Sequence, residues 1–286
     1  VLLKRGADVG CYLEQVDDEG LKNGPKRALY KYHAWRYTKN LAFILAVGKE
    51  AKNWYVARGF DRRKVFPFGY YVKHPSSPKV LERGDKIEKK GLLRLVFVGQ
   101  LITRKRVDLI FHSLAQLKER EWSFIVIGEG PQSSFLQVLS EALGINDRIR
   151  FYGRISNTKV YDVLVKCDCL LLASRYDGWG AVVNEALQCG TPVLVSDTCG
   201  SSDLVRNPDL GSVFCSGSVE DLSAKLDAII RKGKVSPARR ERIRNWAEKT
   251  ISPEVGASYL LEILEYVSGQ KRERPVAPWH KRLNIS

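Results

Sequence analysis

The segment ASRYDGWGAVVNEALQCGTPVLVSD, residues 173–197, contains the pattern that decides the fold. An apolar stretch ending at Ser174 precedes a Gly-rich turn, a segment of helical period up to Gly190, and a second apolar stretch. Gly190 occupies the position of a helix C-terminal stop. This order of strand, turn, helix and short apolar strand is typical of a parallel sheet whose two faces are covered by helices.

The same alternation extends in both directions from about residue 92. Short apolar stretches predict strands, and the segments between them place apolar residues at helical spacing. The predicted strands are 92–98, 123–127, 149–152, 169–173, 192–196 and 212–215, and the helices lie around 107–117, 135–143, 157, 183–189 and 219–231. The sequence therefore predicts a doubly wound α/β domain, which binds ligands at the carboxyl ends of its strands.

The rest of the chain predicts a second, similar domain. Residues 1–73 read as the C-terminal part of an N-terminal Rossmann-like domain, and the polar, Pro/Ser/Lys-rich stretch 74–91 as a linker. Residues 92–251 form the complete domain, 252–268 a closing helix that packs back on the first domain, and 269–286 a basic tail. The 286 residues include no Met, not even at the start, which predicts that the chain is incomplete.

Composition excludes several classes of protein. With 44% hydrophobic and 28% charged residues the chain is typical of a globular protein rather than of a disordered or fibrous one. Its longest apolar run, residues 41–47, is far shorter than a membrane span. Six cysteines without metal or disulfide spacing favour buried small side chains and a reducing, cytoplasmic compartment.

The charge predicts an anionic partner. Lys and Arg number 47 against 32 Asp and Glu, a net charge of +15. Nucleic acid, a lipid head-group surface and phosphorylated substrates all fit such a surplus. No nucleic-acid motif accompanies the charge, so nucleic acid is not expected.

Two loops at predicted strand ends are candidate phosphate sites. The first runs from Gly99 and Gln100 to the cations Arg104 and Lys105, where backbone N–H groups and positive charge favour a phosphate. The second contains Gly128, Glu129 and Gly130, which allow a ligand to approach the backbone closely. Each loop also has a purely structural interpretation: the first as a solvated basic turn, the second as a simple turn between strand and helix.

The third candidate is the turn that carries Asp177, Gly178, Trp179 and Gly180, together with Glu185 in the helix that follows. A helix N-terminus favours an anion such as a diphosphate, and carboxylates bond well to sugar hydroxyls. The alternatives are that Asp177 caps the helix and that Glu185 is a solvated helix residue. For Asp177, capping and ligand contact are equally compatible with the sequence, since one carboxylate can do both.

Together, FVGQLITRKRVD, VIGEGP and YDGWGAVVNEALQCGTPV resemble the nucleotide-sugar domain of GT-B glycosyltransferases, specifically glycosyltransferase family 4. The resemblance covers about residues 41–265 and is most specific in 173–197. There an acidic residue, seven intervening residues, Glu-Ala and Gly-Thr-Pro follow in order. It implies a two-domain α/β GT-B enzyme that transfers a sugar from a nucleotide-diphosphate sugar to a glycan or lipid-linked acceptor. Retention of configuration, no bound metal and a role in cell-surface polysaccharide or glycolipid synthesis are implied as well.

The resemblance also assigns roles to residues. Arg104 and Lys105 inherit diphosphate binding, Glu185 the ribose hydroxyls, and Asp177 the donor sugar. The backbone N–H groups of Trp179, Gly180 and Ala181 would cradle the phosphate or sugar, and Arg154 would approach the base. Two positions depart from the family: Gln100 stands where Arg is frequent, and Asp177 where Glu is usual. These departures keep open the alternative of a non-catalytic partner subunit. A related enzyme that needs no acceptor, a sugar-nucleotide epimerase, is a second alternative.

Two features of residues 1–73 concern the acceptor side. Glu14, in a stretch expected to be a late strand of the first domain, is a candidate acceptor-side residue. The basic segment 25–40 interleaves Lys and Arg with Tyr30, Tyr32, Trp35 and Tyr37. This pattern favours an anionic membrane surface or a lipid-diphosphate acceptor, and hence a peripheral location at the cytoplasmic face of the membrane. The alternative is a charged helix whose aromatic side chains pack on the domain.

Overall fold

A computed structural model describes residues 9–14, 24–73 and 92–281. The predicted linker, 74–91, lies outside the described residues. The chain divides into two compact units, one formed by residues 1–71 and 250–284, the other by residues 72–249. In the described residues, no helix combines the length and the apolar character needed to cross a bilayer.

The first unit is built on a parallel three-stranded sheet of order β1-β2-β3. Its elements are β1 (Val9–Glu14), α1 (Gly24–Tyr37), β2 (Leu41–Val47), α2 (Ala51–Ala57) and β3 (Val65–Phe68). The late helix α9 (Pro253–Val267) also belongs to it. Tyr259 of α9 donates its hydroxyl to the Pro67 carbonyl of β3 at 3.0 Å, and its ring stacks on Phe68.

The second unit is a six-stranded, all-parallel sheet of order β6-β5-β4-β7-β8-β9. Its strands are β4 (Leu93–Val98), β5 (Trp122–Ile127), β6 (Ile149–Gly153), β7 (Cys169–Leu172), β8 (Val193–Ser196) and β9 (Gly211–Phe214). Its helices are α3 (Val107–Ala115), α4 (Ser133–Ala142), α5 (Asn157–Leu164), α6 (Val182–Gln188), α7 (Val219–Lys232) and most of α8 (Pro237–Ile251). All residues of β5, β7 and β8 are buried, as expected for strands covered on both faces.

Capping and burial explain the helix boundaries in the second unit. The Ser218 side chain accepts a hydrogen bond from the backbone N–H of Asp221, which begins α7, and acidic residues occupy its first turn. Gly190, with a φ of 75°, ends the segment of α6 as the sequence predicted. Four of the six cysteines are buried, and all six are free thiols.

Candidate functional site

The strand order places a crevice in the middle of the second sheet. β4 and β7 are neighbours in the sheet. The strand that follows β4 in the chain, β5, lies on one side of this pair, and the strand that follows β7, β8, lies on the other side. Ligands of doubly wound folds bind at such a switch point, outside the carboxyl ends of the strands. The loops that flank it here are 99–106, which follows β4, and 173–181, which follows β7.

An ion pair joins these two loops. The Lys105 ammonium contacts the Asp177 carboxylate, and the two side chains are only 14% and 12% exposed. Arg104 lies beside them, because its guanidinium donates to the Tyr176 carbonyl at 2.7 Å and its own carbonyl accepts from the Arg175 N–H at 2.8 Å. The structure thus brings Arg104 and Lys105 together with Asp177, which lies 72 residues after Lys105 in the sequence.

Asp177 does not cap the helix, so that alternative is wrong. Helix α6 begins at Val182, its N-cap position is Ala181, and no side chain caps it. Asp177 lies four residues before this N-cap position, and its backbone forms an isolated parallel bridge with Cys199. Its carboxylate is therefore directed to Lys105 rather than to the first turn of α6.

The Gly128–Gly130 loop packs directly against the loop after β4. The Leu101 N–H donates to the Glu129 carbonyl at 2.9 Å, and a Cβ added at Gly128 would lie 1.9 Å from the Gly99 carbonyl oxygen. Glycine at 128 is therefore required for two loop backbones to touch, a structural reason that does not involve a ligand. The Glu129 carboxylate accepts from the Arg154 N–H at 3.2 Å, whereas the side chain of Arg154 is exposed.

The loop after β8 supports the Asp177 turn, a contribution that sequence reasoning missed. The Gly200 N–H donates to the Asp177 carbonyl at 2.9 Å, and the Ser201 N–H donates to the Trp179 carbonyl at 2.8 Å. The hydroxyls of Ser196 and Thr198 both donate to the Ser174 carbonyl, at 2.6 and 3.0 Å. The polar, Gly-containing sequence SDTCGSSD at a strand's carboxyl end was the available signal, because all such loops meet at one edge.

A buried polar pair holds the turn on α6, and it too was missed. The Trp179 indole N–H donates to the Asn184 side-chain oxygen at 2.7 Å, and both residues are buried. A buried Asn is uncommon unless its polar atoms are satisfied. This hydrogen bond fixes the turn that presents Gly178, Gly180 and Ala181 at the switch point.

Glu185 is not a solvated helix residue. It lies in the first turn of α6, where it is partly buried, and burial raises the pKa of its carboxyl above the ordinary value. Within the described part of the chain, the structure records no hydrogen bond or ion pair for this carboxylate, and therefore none that joins it to the Lys105–Asp177 pair.

Other donors at the site have no acceptor in the described ranges. The Ser201 hydroxyl is buried without a hydrogen-bond partner and lies beside Gly180, at 3.3 Å from the position of an added Cβ. The backbone N–H groups of Gly180 and Ala181 donate to no recorded acceptor. Gly99 lies next to the Lys105 side chain, while Gln100 is exposed. The switch point therefore combines the Lys105–Asp177 pair with hydrogen-bond donors that have no recorded acceptor.

Across residues 9–14, 24–73 and 92–281, no group of three or more His, Cys, Asp or Glu side chains has the arrangement of a metal site.

The first unit presents different chemistry. The Glu14 carboxylate, at the end of β1, accepts a hydrogen bond from the Tyr70 hydroxyl. Helix α1 packs Ala34 inward and Tyr30 against Trp54, with ring centroids 4.7 Å apart. Its opposite face exposes Leu29, Tyr32 and Trp35, the last to 76%. Packing on the domain thus accounts for Tyr30 but not for Tyr32 and Trp35.

Comparison with known proteins identifies the class. The family model described as "Glycosyl transferases group 1" matches residues 81–250, more than half of the chain, and the protein belongs to this family. The structure of Anabaena HepE in complex with UDP matches with a TM-score of 0.74 at 16% identity, covering 90% of this chain and 72% of that one. The fold is therefore GT-B, an α/β architecture with two Rossmann-like domains, as the sequence predicted.

Curated relatives carry related names. The chain is 24% identical over 200 residues to the 2-deoxystreptamine glucosyltransferase of Streptomyces kanamyceticus, covering 69% of this chain and 52% of the relative. It is 26% identical over 267 residues to the lipopolysaccharide glucosyltransferase WaaG of Escherichia coli, covering 85% of this chain and 68% of the relative. The chain thus spans about half the length of the Streptomyces relative and two thirds of WaaG.

Proposed function

We propose that this protein is a retaining glycosyltransferase of family 4, which transfers a sugar from a nucleotide-diphosphate sugar to a glycan or a lipid-linked acceptor. The observation that carries the proposal is the Lys105–Asp177 pair, which spans the switch point between two strand-end loops. A cation and a carboxylate held together there match the two ends of a sugar diphosphate, one anionic and the other rich in hydroxyls.

The donor would replace contacts that the protein makes with itself. Lys105 and Arg104 would bind the diphosphate together with the N–H groups of Gly180 and Ala181, which adjoin the start of α6. Asp177, released from Lys105, would accept hydrogen bonds from the sugar, and Glu185 from the ribose. Ligand hydroxyls would satisfy a carboxylate that burial now disfavours in its charged form.

In the reaction, the bond between the sugar's anomeric carbon and the diphosphate oxygen breaks, and a bond to the acceptor hydroxyl oxygen forms on the same face. The hydroxyl proton passes to the departing diphosphate. The cations and backbone N–H groups stabilise the charge that develops on the diphosphate, so that the mechanism needs no metal ion.

The names of similar proteins support the substrate classes. HepE was solved with UDP, and WaaG is named a lipopolysaccharide glucosyltransferase. By this analogy we propose a nucleotide sugar as donor, with UDP the first to test, and an acceptor in cell-surface polysaccharide or glycolipid synthesis. We propose with it a cytoplasmic location, peripheral at the cytoplasmic face of the membrane.

A donor screen tests the proposal. A thermal-shift panel of UDP-, GDP-, ADP- and TDP-sugars should show a raised melting temperature for one nucleotide, since a ligand that binds the folded state stabilises it. Calorimetry with that nucleotide should then show affinity lowered at least about 10-fold in Lys105→Ala and Glu185→Ala. Lys118→Ala, an exposed lysine after α3, is the matched control and should bind normally.

The outcomes also separate the alternatives. Unchanged affinity in both site variants would remove the site assignment. Epimerisation or hydrolysis of the donor without an acceptor would favour a sugar-nucleotide epimerase, and donor binding without transfer to any acceptor would favour a non-catalytic partner subunit.

The exposed face of α1 supports a peripheral membrane location. Aromatic side chains with accompanying Lys and Arg favour the interface of an anionic bilayer. A large fraction of the protein should sediment with phosphatidylglycerol vesicles and a small fraction with phosphatidylcholine vesicles. Trp35→Ala should lower binding to the phosphatidylglycerol vesicles several-fold. Phe135→Ala, which removes an exposed aromatic ring from α4, should leave binding to phosphatidylglycerol vesicles unchanged. Equal binding by both variants would contradict the proposal.

A further inference from the structure

A cavity of about 440 Å³ lies at the amino ends of β7, β8 and β9. The side chains of α7 that line it fall at helical spacing, at positions 225, 228, 229 and 232, so one face of the second half of the helix forms a wall. Because donors bind at the carboxyl ends of these strands, the cavity is at the opposite edge of the same sheet. Its volume lies within the range of small-molecule sites, about 300–1,000 Å³.

The cavity is lined by four cations, which are Arg206, Lys225, Lys232 and Arg239. One carboxylate, Asp168, also lines it, but its charge is already balanced. Asp168 pairs with Arg240 at 3.1 Å and accepts the backbone N–H groups of Arg94 and Val235. The lining thus has four cations against one carboxylate, a formal balance of +3. Its two arginines are themselves ion-paired, with Asp203 and Asp209, which leaves the two lysines.

The two lysines differ from the two arginines. Arg206 pairs with Asp203, and Arg239 donates to the carbonyls of Pro208 and Asp209, so both arginines hold the loop before β9. For Lys225 and Lys232, no ion pair or hydrogen bond is recorded with any described residue. Lys232 lies in the last turn of α7, where a cation complements the helix dipole. Lys225 lies about two turns earlier, so the dipole does not explain it.

The carboxylate nearest in sequence does not compensate either lysine. Asp227 accepts from Arg120 and from Arg231. The lining also includes apolar side chains, among them Cys169, Val193 and Ile229. Apolar side chains together with two lysines that have no recorded partner among the described residues match a ligand that has an apolar body and an anionic group.

We propose that this cavity binds a small organic phosphate with an apolar ring, through Lys225 and Lys232. The site is separate from the donor loops, and it does not depend on the proposed transferase function. A ring would pack on the apolar side chains of the lining, while the phosphate would pair with two ammonium groups that have no recorded counter-charge among the described residues.

An affinity label can test this directly. Pyridoxal phosphate has an aryl ring, a phosphate and an aldehyde, which condenses with a lysine amine with loss of water. Borohydride reduces the resulting imine to a stable secondary amine, and peptide mass spectrometry identifies the lysine. At low label concentration, we expect Lys225 or Lys232 to be modified at least about 5-fold more than Lys234, which is exposed but does not line the cavity.

Competition and a blocking variant complete the test. Phenyl phosphate should protect the modified lysine at lower concentration than inorganic phosphate, and UDP should not protect it. Ala228→Phe, which keeps both lysines but fills the cavity from an exposed position of α7, should reduce the labelling to the level of Lys234. Equal labelling of all three lysines, or full labelling in a folded Ala228→Phe variant, would overturn the proposal.

Discussion

Two partly or fully buried carboxylates lie at opposite edges of the six-stranded sheet, and their surroundings differ. Asp168, at the amino edge, has an arginine and two backbone N–H groups as partners. Glu185, on α6 beside the carboxyl edge, has no recorded hydrogen bond or ion pair with the described residues, and burial raises the pKa of its carboxyl. A buried charge is costly unless it is paired. The first carboxylate therefore stabilises the fold, whereas the second has no recorded partner among the described residues, in keeping with the proposal that it binds the donor.

The same contrast holds for the cations, with the edges reversed. At the carboxyl edge Lys105 is paired with Asp177, whereas at the amino edge Lys225 and Lys232 are without partners in the described ranges. Groups that the protein satisfies by itself reveal how it is held together. Groups that it leaves unsatisfied indicate where it binds something else.

Asp168→Ala should have the largest effect on stability. Removing one partner of a buried ion pair leaves Arg240 uncompensated and lowers the free energy of unfolding by about 3–5 kcal/mol. Urea denaturation measures this loss. Donor affinity of the folded variant should be unchanged. A loss of affinity with normal stability would contradict the assignment of Asp168 to the fold and of Glu185 to donor binding.

Gly128→Ala should destabilise the protein by about 2–4 kcal/mol, because the new Cβ would clash with the Gly99 carbonyl at a left-handed φ of 133°. Gly211→Ala creates an equally close clash at the amino edge, 1.8 Å from the Val193 carbonyl, and should cost a similar amount. Only the first should also weaken donor binding, measured by calorimetry at a temperature where both variants are folded. Gly217 also has a positive φ, 84°, but an added Cβ there would meet no atom within 4 Å. Gly217→Ala therefore measures the cost of the backbone conformation alone and should destabilise the protein by about 1 kcal/mol.

Asn184→Leu should lower stability by about 1–3 kcal/mol, since the buried Trp179 indole N–H loses its acceptor. Combining it with Trp179→Phe removes both polar partners and should recover much of this loss, as a double-mutant cycle measures. Additive losses in the cycle would show that the two side chains do not support the turn as a unit.

Glu185→Gln should have the smallest effect on stability, and of opposite sign. A carboxyl whose folded pKa is raised binds more protons in the folded state, so its contribution to stability falls as pH rises through the window between its unfolded and folded pKa values. The variant should match the parent at about pH 4 and be more stable by under about 1 kcal/mol at pH 7, while donor affinity falls. Denaturation curves at the two pH values provide the measurement, and a variant less stable at pH 7 would contradict it.

Much of the second unit follows from local sequence patterns. Apolar stretches such as 169–172 predict strands because strands buried on both faces need no polar residue, and Gly190 ends a helix because its φ is positive. The strand-end rule then placed Lys105 and Asp177 in candidate loops. The partners of individual side chains could not be predicted in the same way. Whether Asp177 caps a helix or pairs with Lys105 depends on the bridge to Cys199, a residue from a different loop.

The sequence by itself determined the α/β class, the order of strands and helices and the loops that carry the candidate chemistry, because these depend on periodicity and on residues close together in the chain. Only the tertiary structure decided the contacts between loops, the Trp179–Asn184 bond, the burial of Glu185 and the cation-lined cavity at the amino edge. These depend on distance and desolvation in three dimensions. A charged side chain has the same letter in a sequence whether it is paired, solvated or left for a ligand.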